Sequence, residues 1–160
     1  MPRLPDRFDL WVRRARACPD PARQLDYVLG ALVSLPAWYY LNIGTADQPR
    51  PATTEVEGDR VLLVFSDAER VPEMIGQPGT AGVVFGVPTG KALADCVTRG
   101  AEEDCHGLFI NPGEDGVLVG MEQVRAFAQA WLRQRQEAPS RFWIPNLTTE
   151  EEDFWQEHGL

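Results

Sequence analysis

Residues 105–120, CHGLFINPGEDGVLVG, join two short apolar segments through a run of turn-forming residues. The apolar segments are residues 108–110 and 117–119, and the run between them opens with Asn111, Pro112 and Gly113. Proline presets φ for the second position of a turn, and glycine accepts the positive φ that a type II turn needs next. The stretch therefore predicts an antiparallel hairpin with Gly113 at positive φ, around which the rest of the chain packs.

Two apolar segments upstream of the hairpin predict further strands. Residues 61–65 form an unbroken apolar run, which is typical of a strand buried on both faces. Gly58 and Asp59 supply a tight turn that joins this run to a strand at 53–57. Residues 83–87 predict a second buried strand.

A predicted helix follows each of the two buried strands. Ser66 and Glu69 have the spacing of a capping box, and Thr89 is placed to cap the second helix. Strand–helix–strand–helix–strand order predicts right-handed crossovers and parallel pairing of 61–65, 83–87 and 108–110.

Helical periodicity dominates both ends of the chain. The first helix is predicted at 6–17, and a second opens at Asp20-Pro21 and stops at Pro36, before a strand at 38–43. The last helix is predicted at 121–135. The predicted buried positions of the first helix are Phe8, Trp11, Val12 and Ala15, and those of the last are Val124, Phe127, Ala128, Trp131 and Leu132.

These elements predict an α/β (α+β) fold: a mixed β-sheet with a parallel βαβαβ centre, antiparallel hairpins and flanking helices. The expected organisation is a two-helix extension (1–36), an α/β domain (37–138) and an aromatic, acidic tail (139–160), within one compact domain.

Charge and cysteine usage restrict the expected partners and compartment. The net charge of −9 disfavours nucleic acid and anionic membrane, which both reward clustered Lys and Arg. Three cysteines without CxxC spacing and no signal segment predict a cytoplasmic protein. Residues 27–46 carry no charge, but Ser34, Pro36 and Asn42 interrupt them, so no membrane span is predicted.

No motif assembles a catalytic centre, a cofactor site or a metal site. Residues 86–91, GVPTGK, resemble a P-loop but have one residue too few between the glycines and Ala92 after the lysine, which favours an ordinary strand-to-helix turn. Cys105 and His106 are neighbours on a predicted strand and point to opposite faces, so they do not form a nucleophile–base pair.

Residues 61–67 (VLLVFSD), 82–85 (GVVF) and 107–113 (GLFINPG) resemble the N-terminal domain of SseB-type proteins, bacterial proteins named for enhanced serine sensitivity. The resemblance covers about residues 37–135. It implies a mixed α/β domain in a cytoplasmic bacterial protein with no established catalytic residues.

Polar residues at the ends of the predicted parallel strands form one candidate binding site, because ligands gather outside the carboxyl ends of such strands. A structural role as helix caps and turn formers is the alternative for the same residues. The candidates are Ser66, Asp67, Thr89, Lys91 and Asn111.

The aromatic tail is a second candidate surface, formed by Phe142, Trp143, Phe154 and Trp155. These side chains are too apolar to remain in water, so the tail either folds back on its own chain or contacts a partner or a second copy. The Arg-rich first helix is the surface that it is expected to meet.

The leading sequence-based hypothesis is a non-enzymatic protein-interaction, scaffold or regulatory module. The alternative is a sensor of an amino acid or related metabolite, with its pocket at the strand ends.

Overall fold

A computed structural model of the chain describes residues 7–76, 82–99, 105–113 and 116–137. Its helices and strands alternate irregularly along the chain, which is typical of the α+β class and confirms that prediction. The helices are α1 (Arg7–Ala17), α2 (Pro21–Ser34), α3 (Arg70–Ile75), α4 (Thr89–Arg99) and α5 (Met121–Glu137). The strands are β1 (Ala37–Leu41), β2 (Thr53–Val56), β3 (Asp59–Val64), β4 (Val84–Pro88), β5 (Gly107–Ile110) and β6 (Val117–Gly120).

The chain divides into two compact units, one of which is Leu35–Ala128 and contains every described strand. The other contains α1 and α2. In that helical unit the predicted buried positions of α1, Phe8, Trp11, Val12 and Ala15, are all buried. Trp11 stacks on Tyr27 of α2 with 6.2 Å between ring centroids. The predicted cap of α2 is confirmed, since the Ala22 N–H donates to Asp20 Oδ1 at 3.0 Å.

A four-stranded mixed sheet with the order β2-β3-β5-β6 forms the centre of Leu35–Ala128. β3 and β5 are parallel, while the β2–β3 and β5–β6 hairpins are antiparallel. Alternation along the strands buries both faces. One face carries Val64, Leu108, Ile110 and Val119, and the other carries Leu63 and Phe65, which cluster with Ala52 and Val71.

The predicted parallel βαβαβ centre is wrong in one respect, because β4 does not join this sheet. It pairs antiparallel with β1, with Tyr39 opposite Gly86. β3 therefore pairs directly with β5. β4 is also only partly buried, with Gly86 and Pro88 exposed, whereas a strand buried on both faces was predicted.

Two isolated bridges connect the β1–β4 ladder to the four-stranded sheet. Tyr39 and Phe65 exchange backbone hydrogen bonds of 3.0 and 2.8 Å, and Asn42 lies opposite Pro51. The two ladders are therefore joined through residues of β1 and the segment that follows it.

Two local predictions change in detail. The tight turn is at Glu57-Gly58, both at positive φ, one residue earlier than expected. The Ser66 capping box is wrong: α3 begins after Glu69, which makes no side-chain cap bond. Ser66 is instead hydrogen-bonded to Asn111.

On the predicted face of α5, Val124, Phe127 and Ala128 are buried as predicted, whereas Trp131 is only half-buried. The side chain of Leu132, the fifth predicted residue, is outside the part that the structure describes. No helix in the described ranges is both long and apolar enough to cross a bilayer.

Candidate functional site

A pocket of about 890 Å³ in Leu35–Ala128 is lined by residues of both ladders and is called here the inter-ladder pocket. One wall is the face of the β2–β3 hairpin that carries Thr53, Arg60 and Leu62. Residues of β4 and α4, with Tyr40 of β1, also line the pocket. Its volume falls in the range of about 300–1,000 Å³ that is usual for small-molecule sites.

Aromatic and aliphatic side chains form the apolar part of the pocket. Phe85 stacks on Tyr40 with ring centroids 5.2 Å apart and planes 28° apart, which fixes both rings. Leu62 and Met121 add aliphatic surface. This arrangement suits a ligand with an apolar body.

Three cationic side chains, those of Arg50, Arg60 and Lys91, also line the pocket, against one acidic side chain, that of Asp95. Lys91 Nζ lies 2.9 Å from Asp95 Oδ2, an (i, i+4) pair on α4. The opposite charges of Lys91 and Asp95 cancel locally. The charge of the pocket lining is therefore set by Arg50 and Arg60 and is positive.

The loop that presents Arg50 is organised by one side chain. Asn42 Oδ1 accepts hydrogen bonds from the N–H groups of Gly44, at 2.8 Å, and Arg50, at 3.0 Å. A Cβ at Gly44 would lie 2.2 Å from the Gln48 carbonyl oxygen, so only glycine fits there. Pro49 on one side and Pro51 on the other further restrict the Arg50 backbone.

A buried thiol and a buried phenol lie in the pocket wall, and both favour their protonated forms. The pKa of Cys96 is raised to about 12, mainly by burial and also by the nearby Cys105 and Asp95, against a lowering by Arg125. Burial, with Cys96 and Asp95 nearby, also raises the pKa of Tyr40. At neutral pH both groups are therefore neutral hydrogen-bonding or apolar surface rather than nucleophiles.

The predicted strand-end candidates Ser66 and Asn111 lie together, as expected, and they are hydrogen-bonded to each other. Asn111 Oδ1 accepts from the Ser66 N–H at 2.9 Å, and Asn111 Nδ2 donates to Ser66 Oγ at 3.0 Å. Asn111 borders a separate opening of about 250 Å³ beside Arg70 and Glu73. Asp67 forms an Asx turn, with Oδ1 accepting from the Glu69 N–H at 2.8 Å.

Thr89 and Lys91 are placed elsewhere, because they follow β4, which lies outside the four-stranded sheet. The Thr89 hydroxyl donates to the Leu35 carbonyl, which ties α4 to the segment before β1 instead of capping the helix. Of the five strand-end candidates, only Lys91 lines the inter-ladder pocket.

Sequence reasoning missed Arg50, Arg60 and Tyr40 as pocket residues. The one available signal was the Pro49-Arg50-Pro51 run, which places a cationic residue in a stiff loop of an acidic chain. The tail candidates Phe142, Trp143, Phe154 and Trp155 lie outside the described residues.

No protein-family model matches the chain, and no curated protein matches it significantly.

Proposed function

We propose that the chain is a non-enzymatic module that binds a small molecule in the inter-ladder pocket. The observation that carries this proposal is a pocket of about 890 Å³ within Leu35–Ala128, lined by both apolar and cationic side chains. A few polar groups in a mainly apolar concavity are typical of ligand sites. This function is the metabolite-sensor alternative, moved from the strand ends to the space between the ladders.

Binding is favoured over catalysis by the protonation states in the pocket wall. A catalytic thiol or phenol needs a pKa lowered towards the working pH. Burial raises the pKa of Cys96 to about 12 and moves that of Tyr40 in the same direction. Both shifts disfavour the ionised forms that nucleophilic or base chemistry uses.

The test combines a metabolite panel, including serine, with a variant that fills the pocket. Thr53→Trp places a large side chain on the exposed β2 position that borders the pocket. Thr54→Trp is the matched control, since neighbouring side chains on a strand point to opposite faces. A ligand at about 100 times its Kd stabilises by about 2.7 kcal/mol, a rise in Tm of about 5–10 °C.

We expect that rise in the unmodified chain and in Thr54→Trp, and its loss in Thr53→Trp. A panel in which no compound shifts Tm, or in which Thr53→Trp responds like its control, counts against the pocket as the site.

The protein-interaction hypothesis remains a sequence prediction, because its residues in the tail lie outside the described residues. We also propose that the protein is cytoplasmic. All three cysteines are free thiols, which is usual in a reducing compartment.

We propose, in addition, that the chain is a divergent relative of SseB-type N-terminal domains. The support is the order of the three resembling segments, which fall on β3 with its following turn, on β4, and on β5 with its Asn-Pro-Gly turn. A solved SseB-type N-terminal domain with a different strand order from β2-β3-β5-β6 would remove this support.

A further inference from the structure

The charge of the inter-ladder pocket is opposite to that of the whole chain. The chain carries a net charge of −9, yet the pocket lining has three cationic side chains and one acidic side chain. After the Lys91–Asp95 ion pair is set aside, Arg50 and Arg60 leave the described lining positive. A local reversal of sign in an acidic protein attracts anions to that place.

Neither arginine has its charge satisfied within the part of the chain that the structure describes. The side chains of Arg50 and Arg60 make no hydrogen bond or ion pair to any described residue. Glu55 is the cross-strand partner of Arg60 in the β2–β3 hairpin, yet these two side chains also form no ion pair. Both guanidinium groups therefore keep their donors for a ligand.

The backbones that carry these two arginines are fixed before any ligand binds. Arg50 is held through Asn42, as described above, and its carbonyl accepts from the Ile43 N–H at 2.9 Å. Arg60 lies in β3, and its carbonyl accepts from the His106 N–H at 2.8 Å. A site whose supports are already ordered loses less entropy on binding.

The size of the pocket argues for a ligand larger than a single small amino acid. At about 30 Å³ for each water molecule in the liquid, 890 Å³ corresponds to about 30 waters. Phe85, Leu62 and Met121 need an apolar body to replace that water.

Resting on the proposed function, we infer that the ligand is a small organic anion with a ring-sized apolar body. Its carboxylate, phosphate or sulfonate group binds Arg50 and Arg60, and its body lies against Phe85, Leu62 and Met121.

The test uses two fluorescent probes of similar shape and different charge: anilinonaphthalene sulfonate, an anion, and phenylnaphthylamine, which is neutral. We expect the anion to bind the intact chain at least ~10-fold more tightly than the neutral probe. Arg50→Ala and Arg60→Ala should each weaken the binding of the anionic probe by about 5-fold or more. The affinity for the neutral probe should stay within about twofold of its value in the unmodified chain. Retained binding of the neutral probe shows that each variant still forms its pocket.

Arg13→Ala is the matched charge control. Arg13 is an exposed residue of α1, so the variant loses the same single charge without touching the pocket lining. We expect it to bind both probes like the unmodified chain. Raising the ionic strength from about 50 to about 500 mM should weaken the binding of the anionic probe and leave the binding of the neutral probe unchanged.

Competition distinguishes the acid group of the natural ligand. Displacement of the bound anion by indole acetate at lower concentration than by phenyl phosphate indicates a carboxylate, and the reverse order indicates a phosphate. Either order supports the inference, while failure of both to displace the probe overturns it.

Failure of this inference is distinguishable from failure of the proposed function. Suppose that the two probes bind equally well, that neither arginine variant changes their binding, and that Thr53→Trp abolishes it. This result overturns the anion inference and leaves the pocket as a binding site. Binding of both probes that Thr53→Trp does not reduce overturns both.

Discussion

Asn111 meets two structural requirements that few residues satisfy together. Its φ is 50°, in the left-handed region that Asn tolerates better than most residues, where β5 leads into the hairpin turn. Its buried amide also joins the end of β5 to Ser66 after β3, through one donated and one accepted hydrogen bond. Because both amide atoms are engaged, its role is structural: it keeps two parallel strands in register at their carboxyl ends.

Asn111→Ala should therefore lower the free energy of unfolding by about 2–4 kcal/mol. Loss of the amide leaves the buried Ser66 N–H without its partner, which costs about 1–3 kcal/mol, and Ala at positive φ costs about 1 kcal/mol more. Urea unfolding measures the change. Asn111→Gly keeps the backbone conformation accessible and should lose only the hydrogen-bond part. A cost below about 0.5 kcal/mol for both variants would show that the amide bridge does not stabilise the fold.

At the scale of elements, the β5–β6 hairpin depends on its turn more than on its strand lengths. Each strand has four residues, which is short, so the turn must establish the register. Gly113 has a φ of 145°, as predicted, and its carbonyl accepts from the Gly116 N–H at 3.2 Å. The register that follows places Leu108 opposite Val119, and both are buried.

Gly113→Val should destabilise the chain by at least about 1 kcal/mol, because a β-branched residue cannot adopt this φ without strain. Thermal and urea unfolding measure it. Leu118→Val on the exposed face of β6 is the control and should stay within about 0.5 kcal/mol. If Gly113→Val melts with the unmodified chain, positive φ at this position is not needed for the turn.

At the scale of the whole molecule, two buried acidic groups couple stability to alkaline pH. The pKa of Cys96 rises from 9.0 to about 12, and that of Tyr40 rises from 10.0, in both cases mainly because burial disfavours the charged form. The native chain therefore holds these two protons at pH values where the unfolded chain releases them. The corresponding stability is fully present below pH 9 and is lost as the pH rises towards the folded-state values.

Stability should consequently fall above pH 9, by up to about 1.4 kcal/mol per pH unit for each group that only the unfolded chain has ionised. Guanidinium unfolding at successive pH values measures the slope. Cys96→Ala and Tyr40→Phe each remove one ionisation and should flatten the curve, although each also lowers stability at pH 8 through altered packing. Parallel curves for both variants and the unmodified chain would show that neither group is responsible.

Much of the local structure follows from the sequence because its causes lie within a few residues of one another. Asp20-Pro21 caps α2, the apolar stripe of α1 is buried, and Asn111-Pro112-Gly113 turns the hairpin. Capping bonds, helical periodicity and turn conformation are properties of short segments. The α+β class follows from the same signals.

The tertiary structure alone decided the partner of β4 and, through it, the candidate site. Residues 83–87 have the composition of an apolar strand whichever strand they pair with. Their strand propensity does not select between β3 and β1 as the neighbour. With β4 paired to β1, Lys91 lies away from the Ser66–Asn111 pair, and it lines the same pocket as Arg50 and Arg60. Strand pairing depends on contacts between residues far apart in sequence, and these form only when the whole unit packs.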